Sequence, residues 1–280
     1  MVREIEARQI EETVKELCIR ACRELPCDIE RRMREAAEEE DWAGARSILE
    51  LLLENAEVAR KQAVPICQDT GLAVVFCEIG QDTHISGSFE EAVCAGVRKG
   101  YTEGYLRKSV VGDPLRRKNT GDNTPPVIHI RLVPGDRVRL TVAPKGAGSE
   151  NMSRLAMLTP SQGLEGARKF VMETVRMAGA NPCPPMILGI GIGGNFERAP
   201  EMAKEALLDP LDMRNPDPFY ADLEQEWLAE INETGIGPQG LGGRTTCLGL
   251  HIHQEPTHIA CLPVAVNVGC HVTRHATAEL

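Results

Sequence analysis

Three of the ten cysteines in this 280-residue chain stand where loops meet regular structure: Cys67 in PICQDTG, Cys183 in NPCPP and Cys270 closing the run VAVNVG. A thiolate at such a boundary can project into a cleft. Three thiolates and an open fourth position can hold a cubane iron–sulfur cluster whose free iron acts as a Lewis acid. The long gaps between these cysteines match no common ligand spacing, so free thiols are the competing reading. Gln68 and Asp69 follow Cys67 directly and place an amide and a carboxylate beside the first thiol.

The remaining cysteines read differently. Cys77, Cys94 and Cys247 lie inside apparent strands or helices and suit a core. Cys18, Cys22 and Cys27 form C-x3-C-x4-C, with the first two on one helical face; the spacing misses the common iron–sulfur runs, and core packing is the expectation. Cys261 sits in a strand-like run and fits either role. A rival metal reading comes from His251 and His253, which alternate in HIH and share a strand face, with His258 close in sequence. Three imidazoles can bind zinc, but the H-E-x-x-H spacing of a zinc hydrolase is missing and a polar sheet face competes.

Glycine-rich stretches offer weaker signals. KGAGS (145–149) lets successive N–H groups point at an anion but lacks phosphate-loop spacing, and GIGIGGNFE lacks a full dinucleotide fingerprint. Tight turns explain both equally well. Further polar groups gather in NTGDNTPP (119–126), GIGPQGLGGRTT (235–246) and EPTHIACLPVAVNVGCHVTRH (255–275), all at the ends of apparent elements.

The elements that must position these groups follow from periodicity. Residues 3–62 show apolar positions at helical spacing, with a break at Pro26 and Asp28. From Gln62 onward, short apolar runs predict strands at 72–79, 127–133, 137–143 and 186–194, and in TTCLGLHIH and HIACLPVAV. VPGDR (133–137) predicts a hairpin turn. Helices are expected in SFEEAVCAGVRKGYTEGYL, where Ser88 and Glu91 have capping-box spacing, in SQGLEGARKFVMETVRMAGA and in RAPEMAKEALL. The fold class is α+β: a helical part, 1–62, then a mixed α/β part, 63–280, in one domain spanning 1–280.

Composition bounds the function. With 42% hydrophobic and 26% charged residues the chain can bury a sizeable core, and its formal net charge of −10 offers no basic field for nucleic acid or an anionic membrane. A small-molecule substrate fits better. No apolar run reaches the length of a membrane span, and MVREIEARQIEETVKEL is acidic where a signal peptide is basic, so a cytoplasmic protein with reduced thiols is expected.

Taken together and in order, PICQDTG, KGAGSEN, NPCPP with the later GIGG, GPQGLGG and HIACLPVAVNVGC resemble the alpha subunit, or N-terminal region, of class I iron–sulfur fumarases and the related L-tartrate dehydratases. The resemblance runs from about residue 60 to the C-terminus. It implies a [4Fe-4S] cluster on Cys67, Cys183 and Cys270 with one open iron. It further implies substrate contacts from Gln68, from Arg107 in YLRKS and from the backbone of Gly148, and an acid/base pair of Asp69 and His258. The implied reaction is hydration of fumarate to (S)-malate, with L-tartrate dehydration as the alternative and a non-catalytic, cluster-bearing regulatory subunit as another. KGAGSEN has alanine where many relatives carry a further glycine, and His271 follows the last cysteine; both departures bear on substrate identity. The chain ends ten residues after Cys270, so the resemblance also implies a separate beta subunit that supplies further arginines, a lysine and the group acting on carbon, in a two-fold assembly of alpha–beta pairs.

Overall fold

A computed structural model describes residues 2–280. Its helices and mixed sheets make an α+β fold, and the chain divides into two compact units. The first contains Met1–Leu25, Ala56–Ala147 and Arg274–Leu280; the second contains Pro26–Asn55 and Gly148–Thr273.

In the first unit, β1 (Arg3–Glu6) pairs in parallel with β3 (Thr83–Ser86). Helix α1 (Ala7–Arg23) buries Ile10, Val14, Leu17, Cys18, Ala21 and Cys22, a stripe that recurs at helical spacing. It joins Val93, Val97 and Tyr101 of helix α4 (Phe89–Glu103) in a core against the four-stranded sheet. That sheet has the order β10 (Ala276–Glu279), β5 (Val138–Lys145), β2 (Leu72–Gly80), β4 (Val127–Val133). Because Leu72 pairs with Lys145 in antiparallel register, the entrance to β2 and the exit from β5 coincide. PICQDTG and residues 145–147 therefore meet at one end of this sheet.

The second unit begins with α2 (Cys27–Glu39) and the first part of α3 (Ala43–Gln62). It resumes at Gly148, inside the short α5 (Ala147–Glu150), then β6 (Arg154–Leu158), α6 (Gly163–Ala178), β7 (Met186–Gly194), α7 (Arg198–Glu205), α8 (Pro218–Glu233), β8 (Cys247–Thr257) and β9 (Leu262–Gly269). The sheet order is β6, β9, β7, β8, with β7 parallel to β8 and antiparallel to β9. Ile187 pairs with Gly269, so Cys183, just before β7, and Cys270, just after β9, fall at the same end of the sheet. Trp227 and Ile231 of α8 and Phe170 and Val175 of α6 fill the core beneath.

Several expectations are corrected. Arg3–Glu6 is a strand, because its backbone pairs with 83–86, which no local periodicity announces. VPGDR is not a hairpin turn: β2 lies between β4 and β5, and the segment crosses the end of β2, where Gly80 N donates to Arg137 O and Gln81 N to Val133 O. Ser88 does cap α4, accepting from Glu91 N at 3.4 Å, while the Glu91 carboxylate faces Arg98 at 3.8 Å. Two glycines of GIGIGG serve close packing rather than a turn: Gly189 and Gly191 sit inside β7, where a Cβ would strike the carbonyls of Ala203 and Ala199 on α7. Cys27 is exposed at the start of α2, whereas Cys18 and Cys22 are core as expected.

Candidate functional site

The loop before β2 is organised from its backbone outward. Gly71 has φ +74° and a Cβ there would lie 2.7 Å from the Lys145 carbonyl, so only glycine lets the chain turn into β2 at this point. Burial beneath the loop is dense. The Tyr101 hydroxyl, on a side chain with no exposure, donates to Thr70 O at 2.7 Å and Gly71 O at 3.1 Å. Burial holds its pKa well above the usual phenol value, so it remains a donor. Cys22 Sγ lies 3.8 Å from Thr70 O, and burial pushes this thiol up to about 11.

Asp69 is held at both carboxylate oxygens and at its backbone carbonyl. Its Oδ1 accepts from Gly71 N at 3.0 Å and its Oδ2 from Ala147 N at 2.9 Å, while its backbone carbonyl accepts from Arg274 Nη2 at 2.5 Å. Two backbone donors, one on each oxygen, fix the plane of this carboxylate. The carboxylate thereby ties PICQDTG to Ala147, within the first unit. Cys67 is half-buried and its thiol donates to Gln68 Oε1 at 3.4 Å, with Gln68 itself exposed.

Arg107 joins this group through its backbone. Thr70 Oγ1 donates to Arg107 O at 3.1 Å, leaving an exposed guanidinium on a loop anchored to the same turn. Asn123, fully buried and itself at φ 63°, completes the anchor. Its Oδ1 accepts from Ser109 N at 2.6 Å and Val110 N at 3.1 Å, and its Nδ2 donates to Gly71 O at 3.2 Å. Thus the first unit brings together Cys67, Gln68, Asp69, the backbone of Arg107 and the residue preceding Gly148.

In the second unit Gly148 is exposed, and a Cβ there would lie 3.7 Å from Asn181 O, two residues before Cys183. Cys183 is exposed and adopts φ 55°. Its carbonyl meets His271 Nδ1 at 2.9 Å and accepts from His271 N at 3.3 Å, which brings the Cys183 turn against the segment of Cys270. His258 is exposed in the turn after β8; its Nδ1 accepts from Ala260 N at 3.1 Å and its carbonyl from Cys261 N at 2.8 Å. Asp69 belongs to the first unit and His258 to the second.

The three histidines of the zinc reading are not gathered. His251 faces Glu224 at 3.9 Å, His253 Nε2 meets Asp209 Oδ2 at 2.6 Å, and His258 caps its own turn. Among the described residues no group of three His, Cys, Asp or Glu side chains is placed to hold a single metal ion. In a cubane each cysteine binds its own iron, so the ligands need not converge on one point. The donor set fits such a group in chemistry: Cys67, Cys183 and Cys270 are soft, accessible loop thiols, all ten cysteines being free. Burial instead pushes Cys77 and Cys247 up to about 12 and keeps them protonated. Cys27, Cys94 and Cys261 are accessible too; what sets Cys183 and Cys270 apart is the polar bridge between their segments.

Sequence reasoning missed Arg274, Asn123 and Tyr101, the buried groups that hold the first loop, and Gln239, whose N and Nε2 reach Pro184 O at 2.7 and 2.8 Å. Asn123 and Gln239 lie in segments marked only by their glycine and polar content. Among the described residues no helix is long and apolar enough to cross a membrane.

Comparison with known proteins agrees over nearly the whole chain. Residues 11–279 match the family model described as fumarate hydratase (Fumerase). A protein of Methanocaldococcus jannaschii, provisionally named L(+)-tartrate dehydratase subunit alpha, is 41% identical across 97% of this chain and 98% of its own length. The L(+)-tartrate dehydratase subunit alpha of Escherichia coli O157:H7 is 31% identical, covering 90% of this chain and 84% of the relative. That of E. coli strain UTI89 is 30% identical over 91% and 86%.

Proposed function

The chain belongs to the fumarate hydratase (Fumerase) family, and we propose that it is the alpha-type chain of an iron–sulfur hydro-lyase that, with a beta-type partner, adds water reversibly to fumarate to give (S)-malate. The observation that carries this reading is the Asp69 carboxylate pinned between Gly71 N and Ala147 N, directly after Cys67 and Gln68 in the chain. A thiol, an amide and a carboxylate in so short a span suit a small anionic substrate held beside a metal centre.

In this reading the whole chain, 1–280, acts as one catalytic domain. Cys67, Cys183 and Cys270 hold a [4Fe-4S] cluster with one open iron, which when bound supplies Lewis acidity toward the substrate hydroxyl and one carboxylate. The Arg107 guanidinium takes a substrate carboxylate as a planar fork, and Gln68 and the Gly148 N–H orient the remaining oxygens. Asp69 acts with His258 on the proton of the hydroxyl side. In hydration, hydroxyl adds to one alkene carbon and a proton to the other; the group acting at that second carbon comes from the partner chain. Donors fixed before the substrate arrives stabilise the charge that grows when the carbon proton leaves in the reverse direction. Free thiols on all ten cysteines suit a cytoplasmic setting, and two-fold symmetry is the common way to pair such heteromers.

L-tartrate is the second reading, favoured by the names of the relatives. Both substrates are four-carbon hydroxy dicarboxylates and need the same anchors. Anaerobic reconstitution with iron and sulfide, followed by parallel assays of malate, fumarate and L-tartrate on the assembled pair, tests both. Malate and fumarate interconversion is expected; tartrate turnover alone transfers the assignment to the second reading. A pair that turns over none of the three sinks the hydro-lyase role, and full activity in Asp69→Ala takes Asp69 out of catalysis and favours a non-catalytic, cluster-bearing role for this chain. Iron analysis should give about four irons per chain, as a cubane requires.

A further inference from the structure

We propose that Gln239 and His271 are positioning residues that lock the Cys183 and Cys270 loops together and so set how tightly an iron–sulfur cluster is retained; the proposal rests on the reading that these two cysteines are ligands.

Cys183 has φ 55°, a left-handed conformation that costs a non-glycine residue about 1 kcal/mol or more and persists only where the surroundings hold it. Its N–H donates to Ala180 O at 3.1 Å, closing the turn on one side. On the other side its carbonyl lies 3.3 Å from His271 N and 2.9 Å from His271 Nδ1. A carbonyl only accepts, so Nδ1 carries the proton, and the contact fixes the ring tautomer and its plane.

The next peptide is held in the same way. Pro184 O accepts from Gln239 N at 2.7 Å and from Gln239 Nε2 at 2.8 Å, and Gln239 is itself left-handed at φ 54°. Gln239 Nε2 also lies 3.3 Å from His271 Nδ1. With both nitrogens carrying hydrogen, that approach is packing, and it presses the imidazole onto the Cys183 carbonyl. At the other ligand, Cys270 O accepts from Thr273 N at 3.0 Å and from Thr273 Oγ1 at 2.8 Å. The carbonyls of Cys183, Pro184 and Cys270 are thus each met by two donors. The direction of a cysteine Cβ follows its backbone, so this bracket aims both thiols before any cluster is present. Removing groups that orient a metal ligand from behind typically costs about 10–100-fold in metal affinity.

The test uses the full-length chain, reconstituted anaerobically with iron and sulfide in complex with its beta-type partner. Gln239→Asn keeps a residue tolerant of φ > 0 and its backbone donor but shortens the reach to Pro184 O. His271→Phe keeps the ring volume and removes Nδ1–H, whereas His271→Asn places an amide donor near the Nδ1 position without the ring. Gln239→Asn and His271→Phe should lose iron to excess chelator about tenfold faster than wild type, the lower end of what removal of such outer partners costs. Each should also show an altered electron paramagnetic resonance spectrum of the dithionite-reduced cluster, and His271→Asn should recover most of the retention. Wild-type rates and spectra in Gln239→Asn and His271→Phe overturn the proposal, as does recovery in His271→Phe but not in His271→Asn, which would mark a packing role alone. A wild-type protein that takes up no iron overturns the cluster reading itself, and this proposal falls with it.

Discussion

The guanidinium of Arg274 donates from Nη2 to the backbone carbonyl of Asp69 at 2.5 Å, from a side chain only 5% exposed. A buried cation thus meets the residue whose carboxylate ties two loops together, and it does so from behind, leaving both carboxylate oxygens to Gly71 and Ala147. Arg274→Leu removes the donor and strands the carbonyl. The expected loss is about 2–4 kcal/mol in urea unfolding, the range for breaking a buried charge-assisted bond. Arg274→Lys should recover less than half, since a single ammonium cannot reproduce the planar fork. An unchanged midpoint in Arg274→Leu would show that the turn stands without it.

Asn123 gives a graded test of the neighbouring anchor. Asn123→Asp preserves the oxygen that accepts from Ser109 N and Val110 N but loses the donor to Gly71 O. Asn123→Ala loses all three bonds in a site with no exposure. Stability should therefore fall in the order wild type, Asp, Ala, with the Ala variant down by about 2–4 kcal/mol. If the two variants unfold together, the Gly71 contact contributes the whole effect and the loop anchor is weaker than its geometry implies.

Legibility in the sequence followed the range of the forces involved. The helices 7–23 and 89–103 and the strands 72–80, 127–133 and 186–194 carry their burial pattern within a single window and were readable. The strands 3–6, 83–86, 154–158 and 276–279 were not, because four or five residues hold too little periodicity and their pairing partners lie far along the chain. Helix 218–233 was also missed; Pro218 at its first position and the Asp217 cap are its local signals. At the site, Cys67, Gln68 and Asp69 announced themselves by crowding in one motif. Arg274 and Tyr101 are single residues whose roles exist only once the chain has folded over them.

Asp69 itself is poised as a double acceptor. Asp69→Asn keeps the shape but sets an NH2 group against either Gly71 N–H or Ala147 N–H, two donors face to face. Turnover of the assembled pair should fall by about 10²–10⁴, the span of a lost acid/base group. The urea midpoint should fall as well, because one backbone donor is left unmet. Asp69→Asn that keeps wild-type kcat would remove this carboxylate from the proton-handling role.

His251 supplies the pH-dependent prediction. The ring is 3% exposed, with Nε2 lacking a partner and Nδ1 3.9 Å from Glu224 Oε1. Burial lowers its pKa below the usual 6.5; nearby Asp209, Glu224 and Asp28 pull it upward, His253 pushes it down further, and burial prevails. A histidine whose folded pKa is depressed binds its proton more readily when unfolded. Its contribution to stability is thus full above pH 6.5, declines as pH falls below that value, and stops changing once pH is below the folded pKa. His251→Phe removes the titration while filling the same space, and at pH 8 its stability should lie within about 1.5 kcal/mol of wild type. Between pH 6.5 and 5 the wild type should lose stability more steeply than the variant, measured by urea unfolding across the series. Parallel profiles over that window would show that His251 takes up no differential proton on unfolding.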